Sequence, residues 1–179
     1  MDVPALIQTI HDSPPGEWMR TSLKAMPIVE SLHVLAAATV FGTVFIVDLR
    51  LLGWLDSHRP VTRIAREMLR ITWVAFCVSI IAGLLMFAAN AQTYYVNTAF
   101  RLKMLTLVAA GVNMAIFHAI TYRGVNRWDT GGPAPLAARI AGATSIVLWV
   151  ATICLARWIG FTKGYDFKVP ADTHINFQF

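Results

Sequence analysis

The chain has 179 residues, 56% of them hydrophobic and 14% charged, with a formal net charge of +5. A soluble domain carries nearer a quarter charged residues, so the composition excludes an ordinary soluble enzyme, and the length allows one domain. The basic residues flank apolar stretches, which reads as membrane topology and excludes a nucleic-acid partner as the first expectation.

The N-terminus (MDVPALIQTIHDSPPGEW) begins acidic, and its apolar run is short and broken, unlike a cleavable signal. Residues 3–11 predict a short amphipathic helix on the membrane surface. The Ser13-Pro14-Pro15-Gly16 break ends it, and a second short helix is predicted from about Glu17 to Ala25. A hydrophobic stretch of roughly 20 residues crosses the hydrocarbon core. Four such stretches follow, at about 26–54, 71–91, 100–122 and 138–161, with an interfacial segment over 3–25 and a polar, aromatic tail over 162–179. The expected fold is all-α: an integral membrane four-helix bundle with short N-terminal interfacial helices.

Between spans one and two, Arg63, Arg66 and Arg70 recur at helical spacing, one face of a helical extension into span two aimed at anionic headgroups. Tyr94 and Tyr95 between spans two and three suit a membrane interface. The loops after spans one and three hold Arg59, Arg63, Arg66, Arg70, Arg123 and Arg127. The positive-inside rule puts those loops in the cytoplasm and both termini outside, in the periplasm of a bacterial inner-membrane protein. Cys77 and Cys154 lie within spans near opposite faces. They read as small buried hydrophobes, not a disulfide.

Helical rise converts position into depth. Glu30, His33, Asn90, Lys103 and Arg157 fall in an outer layer; Asp48, Arg50 and His118 fall in an inner one. Ionisable groups inside spans are costly, so they call for a partner or a purpose. The structural reading pairs Glu30 with Lys103 and Asp48 with Arg50 or His118, and leaves Arg157 as a further member of the outer charge set. The functional reading starts from the histidines, since neutral imidazole is the commonest metal and haem ligand. His33 and His118 differ in depth by roughly 18 Å on helical rise, so two separate sites are easier than one shared haem. Met86 and Met104 are the candidate second ligands for His33. For His118 the partner would be His58, folding in from the loop. Glu30 and His33 share a helix face at i, i+3, as in bundle metal sites. With His11, His174, Met19 and Met26 on the same side, that pair suits copper. Against this stands the packing role that Met residues usually play, at 68, 86, 104 and 114 alike. No nucleophile–base pair and no Gly-rich phosphate loop stands out, so the sequence leaves the question of enzymatic activity open.

Ser22, Pro27, Glu30, His33, Gly42 and the run Asp48-Leu49-Arg50-Leu51-Leu52-Gly53, followed by Asn97, Phe100, Lys103, Asn113 and Phe117-His118, resemble a family of small bacterial four-span proteins of unknown function. The likeness spans about residues 17–160 and implies a fold, not an activity. Residues 31–45 (SLHVLAAATVFGTVF) also resemble the first span of copper-resistance D-type membrane proteins and, more loosely, b-type di-haem cytochromes. Three functions are therefore expected. The first is a redox subunit that binds haem b and passes electrons between a periplasmic partner and the quinone pool. The second is a copper-handling protein with ligands Glu30 and His33. The third is a non-catalytic accessory subunit of a larger membrane complex. Expected partners are membrane lipid and a protein in the membrane or periplasm, or a second copy in a homo-oligomer.

Overall fold

The structure is a computed structural model that describes residues 3–55, 60–129 and 133–162, the side chains of Asn126 and Arg127 apart. His58, His174 and the tail beyond Thr162 lie outside the described residues. Those described are helical throughout, with no strand among them. Helices α1 (Val3–His11) and α2 (Pro14–Thr21) precede the long α3 (Ala25–Leu52) and α4 (Val61–Ala89). Short α5 (Ala91–Val96) leads into α6 (Thr98–Ile116), which continues through a π turn (Phe117–Thr121) and a 3-10 turn (Tyr122–Gly124). Then come α7 (Val125–Trp128) and α8 (Leu136–Thr162). Four helices are long and apolar enough to cross a membrane, and the protein is a multi-pass membrane protein of the expected all-α bundle class.

Two expectations shift at the boundaries. The Pro14-Pro15 pair opens α2 instead of only ending α1, because proline lacks the N–H that a first turn leaves unused. Span two begins at Val61, so the Arg63–Arg66–Arg70 face lies in its first three turns. At the other end of the loop, Gly53 closes α3 at φ 81°, a left-handed cap that glycine adopts without strain.

The helices pack as a row, α4 against α3, α3 against α8 and α8 against α6, while α4 and α6 make no comparable contact along their length among the described residues. Polar rungs fix the register. Thr72 donates to Thr43 at 2.8 Å, Thr106 and Thr152 hydroxyls meet at 2.9 Å, and Asn113 donates to the Ala141 carbonyl at 3.0 Å. In hydrocarbon such bonds substitute for the missing hydrophobic drive between helices. The α4–α6 seam is closed at one end by three near-parallel rings. Phe87 and Phe100 lie 5.5 Å apart and Tyr94 and Phe100 5.3 Å apart.

The bundle thus has two ends. The termini face carries the start of α3, the end of α8 and the α1–α2 elbow. Gly16 presses that elbow onto α4, where a Cβ would meet the His11 carbonyl at 2.7 Å and the Ala88 carbonyl at 3.0 Å. The loop face carries the α3–α4 and α6–α8 connections.

Candidate functional site at the termini face

His33 is the centre of the termini face. Its Nδ1 lies 2.9 Å from the Ser79 carbonyl oxygen. A carbonyl can only accept, so Nδ1 carries the proton and Nε2 keeps its lone pair. Gly83 makes room for the ring, since a Cβ there would come within 3.2 Å of His33 Cε1. The local pattern explains the fit. Met26, Val29 and His33 recur on one face of α3, and Ser79, Ala82, Gly83 and Met86 recur on the facing side of α4.

Around His33 lie Glu30 and Lys103, both close enough to act on it electrostatically. Glu30 also acts on Tyr94, whose phenol is held above its ordinary range by burial first and by that negative charge second. Lys103 Nζ stands 5.9 Å from the Phe100 ring centroid, a cation–π distance. Glu30 and Lys103 do not form an ion pair; among the described residues the side-chain pair within 4 Å is Arg63–Glu67, at 3.4 Å. The expected Glu30–Lys103 bridge is not formed: each of the two charges acts on His33, and Lys103 sits over the Phe100 ring.

Three thioethers gather in the cluster around Val29, one helical turn from His33 on α3. Met19 of α2, 1% exposed, sits in one packed cluster with Ala25, Val29, Ala82 and Ala89, and Met26 and Met86 pack against it. Met104 is elsewhere, lining a recess on the outer side of Phe100. His11 lies on the elbow, where Arg20 donates to its backbone carbonyl at 2.6 Å. Arg157 stacks over Phe161 at 4.9 Å and is exposed, away from the outer charge set it was expected to join. Among the described residues no three His, Cys, Asp or Glu side chains converge as a metal-binding group.

His118 does not join His33. It is exposed within the π turn, and its Nδ1 lies 2.9 Å from the Met114 carbonyl. Asp48 packs on Gly142 and Asn113 bonds Ala141, so those two share one level. His33 is fifteen residues from Asp48 towards the termini face and His118 five beyond Asn113 the other way. At 1.5 Å per residue the two imidazoles are roughly 30 Å apart along the axis.

The loop face answers its own charges. Asp48, 6% exposed, bonds the Ser145 hydroxyl of α8 instead of Arg50 or His118. Its Oδ2 is buried without a hydrogen-bond partner. Arg50 is 1% exposed and acts on Asp129, a residue the sequence reading passed over. Asp129 Oδ1 accepts the Val61 N–H at 2.6 Å, and Oδ2 accepts the Thr62 N–H at 2.9 Å and its hydroxyl at 2.6 Å. A carboxylate from the α6–α8 loop therefore caps α4, whose own cap position is Pro60, with no side-chain acceptor. Burial raises the Asp129 carboxyl, but the Thr62 hydroxyl, the two N–H donors and positive Arg50 outweigh it and hold it below its ordinary value. A sequence signal for this did exist: a helix whose cap position before Val61 is Pro60, not a Ser, Thr, Asp or Asn.

The model of one protein family matches residues 23–162, from the start of α3 through the end of α8, leaving α1 and α2 outside the match. No curated protein and no solved structure matches the chain. With four long apolar helices inside the matched range and most of the chain covered, the protein belongs to the family of unknown function DUF6644.

Proposed function

We propose that this is a small membrane redox subunit that holds a metal centre at its termini face through His33. The observation that carries the reading is the His33–Ser79 contact. A metal-ligating histidine donates its other ring N–H to a carbonyl or carboxylate, which fixes the tautomer and aims the free nitrogen. The donors at this end are the His33 imidazole, the Glu30 carboxylate that acts on it and, in the cluster around Val29 one turn away, the thioethers of Met19, Met26 and Met86. Soft thioethers with imidazole favour copper. Haem b is the second reading: Met86 is then the second ligand to His33, and the Lys103 ammonium beside His33 suits a propionate. The roughly 30 Å between His33 and His118 favours a centre on His33 alone.

The basic Arg63–Arg66–Arg70 face at the loop end supports a cytoplasmic loop face and a periplasmic termini face in a bacterial inner membrane. A half-buried His33 site on that side suits delivery or withdrawal of electrons by a periplasmic partner.

The test is an absorption spectrum of the detergent-purified protein, oxidised and dithionite-reduced, with metal analysis of the same sample. Stoichiometric copper, or b-type bands, is the expected result. A protein with neither, that takes up neither copper nor haem when offered, removes the redox reading and leaves an accessory subunit.

A further inference from the structure

At the ring-stacked end of the α4–α6 seam, Phe87, Tyr95, Val96, Phe100, Arg101 and Met104 line a recess of about 450 Å³. That is within the size range of small-molecule sites, roughly 300–1,000 Å³, and so is the composition: apolar and aromatic walls with few polar groups. We propose that this recess binds the headgroup of a lipid-soluble para-quinone. The inference rests on the redox reading for its role, and on the recess alone for its chemistry.

Three observations point to this ligand class. First, the wall includes two flat rings, Phe87 and Phe100, which lie within 17° of parallel. An electron-poor planar ring gains most against electron-rich aromatic faces held in that way. Second, the polar groups are a guanidinium and a phenol, Arg101 and Tyr95. Both donate hydrogen bonds, and a quinone headgroup presents carbonyl oxygens that only accept. Third, beyond the ring stack that closes its end, the seam is open, because α4 and α6 do not pack along their length there among the described residues. An isoprenoid tail leaves such a recess into lipid without displacing a helix. The recess also shares Phe100 with the other site, since the face of that ring meets Lys103 and Lys103 acts on His33. One ring and one side chain therefore separate the quinone recess from the proposed metal ligand.

The experiment uses the full chain in lipid nanodiscs and a short-tailed para-benzoquinone carrying a photoactivatable azide, with cross-linked peptides mapped by mass spectrometry. Labelling is expected on residues 87–104 and is expected to disappear with excess unlabelled quinone. Met104→Trp, which fills the recess, abolishes it. Arg101→Gln, on the surface, weakens competition by about tenfold through loss of a charged donor. Met114→Trp, exposed on α6 outside the recess, leaves it unchanged and controls for a bulky ring on that helix. Labelling that spreads over lipid-facing peptides, survives competition or ignores both Met104→Trp and Arg101→Gln overturns the proposal. Suppression by added anionic phospholipid alone also overturns it, and assigns the recess to lipid. Metal content measured on the same nanodiscs separates the two ideas: competed labelling without metal keeps the recess and sinks the redox reading, whereas metal without labelling does the reverse.

Discussion

The two ends of the bundle treat their ionisable residues in opposite ways. At the loop face, Asp129 is closed by three donors from α4 and by Arg50, and Asp48 bonds Ser145 at a tight α3–α8 crossing. Those groups are engaged by the chain itself, apart from Asp48 Oδ2, which is buried without a hydrogen-bond partner. At the termini face, Glu30 and Lys103 each act on His33 without forming an ion pair, and His33 keeps a lone pair on Nε2. Charges inside spans are retained where they face a partner, a cavity or a ligand. The loop face has its partners within the chain, so its charges hold the fold together. The termini face has donors left over, so its charges are available to something that arrives from outside.

If that contrast is right, substitutions at the two ends separate binding from stability. The largest effect is expected from His33→Ala: metal content of the purified protein falls to background, while the melting temperature changes little. Ser79 contributes its backbone carbonyl, so its side chain is dispensable, and Ser79→Ala is expected to retain most of the metal. Asp48→Asn is expected to leave metal content at the wild-type level. Equal metal loss in His33→Ala and Asp48→Asn would erase the distinction between the ends.

The second effect is on packing. A Cβ at Gly142 would lie 3.2 Å from both the Asp48 carbonyl oxygen and Leu51 Cβ, and backbone cannot yield as a side-chain tip can. Gly142→Leu is expected to cost about 1–3 kcal/mol by overpacking, read as a lower melting temperature in detergent with loop-face unfolding first. At Gly111 and at Gly42 a Cβ would meet nothing within 4 Å. Leucine at either is expected to be neutral or mildly stabilising, since glycine in a helix interior costs about 1 kcal/mol. A drop at Gly111 as large as at Gly142 would mean that another surface covers α6.

Much of this architecture is legible in the sequence because bilayer thickness sets a length scale that any apolar run either meets or misses. The spans, the helical Arg63–Arg66–Arg70 entry to α4 and the short amphipathic α1 follow from spacing alone. What spacing does not carry is which helix sits beside which. Sorting by depth put Glu30 and Lys103 in one layer, but α3 and α6 are separated by α8 in the row, so the pair does not close. Asp48 and Arg50 are two apart on one helix and so cannot face each other. Depth placed His118 far from His33, and the register of the polar rungs widens that gap. Two features needed the tertiary structure. The Ser79 carbonyl that orients His33 is backbone, which no side-chain pattern reports. Asp129 lies 68 residues from the helix it caps.

That cap supplies the next test. Replacing Asp129 with alanine removes acceptors for two first-turn N–H groups and a hydroxyl, a loss of about 1–2 kcal/mol on the scale of N-cap substitutions. Its folded carboxyl is held below the ordinary value, so its contribution is complete above about pH 4, where the unfolded carboxyl is ionised. It fades as pH falls from there through the lower folded value. The wild-type protein should therefore lose stability over that acid range and Asp129→Ala should lose less, checked by melting curves in detergent at a series of pH values. The smallest effect belongs to Arg63–Glu67, an exposed i, i+4 pair that begins at the residue after Thr62, where that cap binds. Such pairs contribute about 0.3–0.5 kcal/mol and are screened by salt. Glu67→Ala should shift the melting temperature barely above error at low salt and not at all at high salt. A shift comparable to Asp129→Ala would mean that the Arg63 side chain, not the carboxylate of the neighbouring loop, is what holds the start of α4.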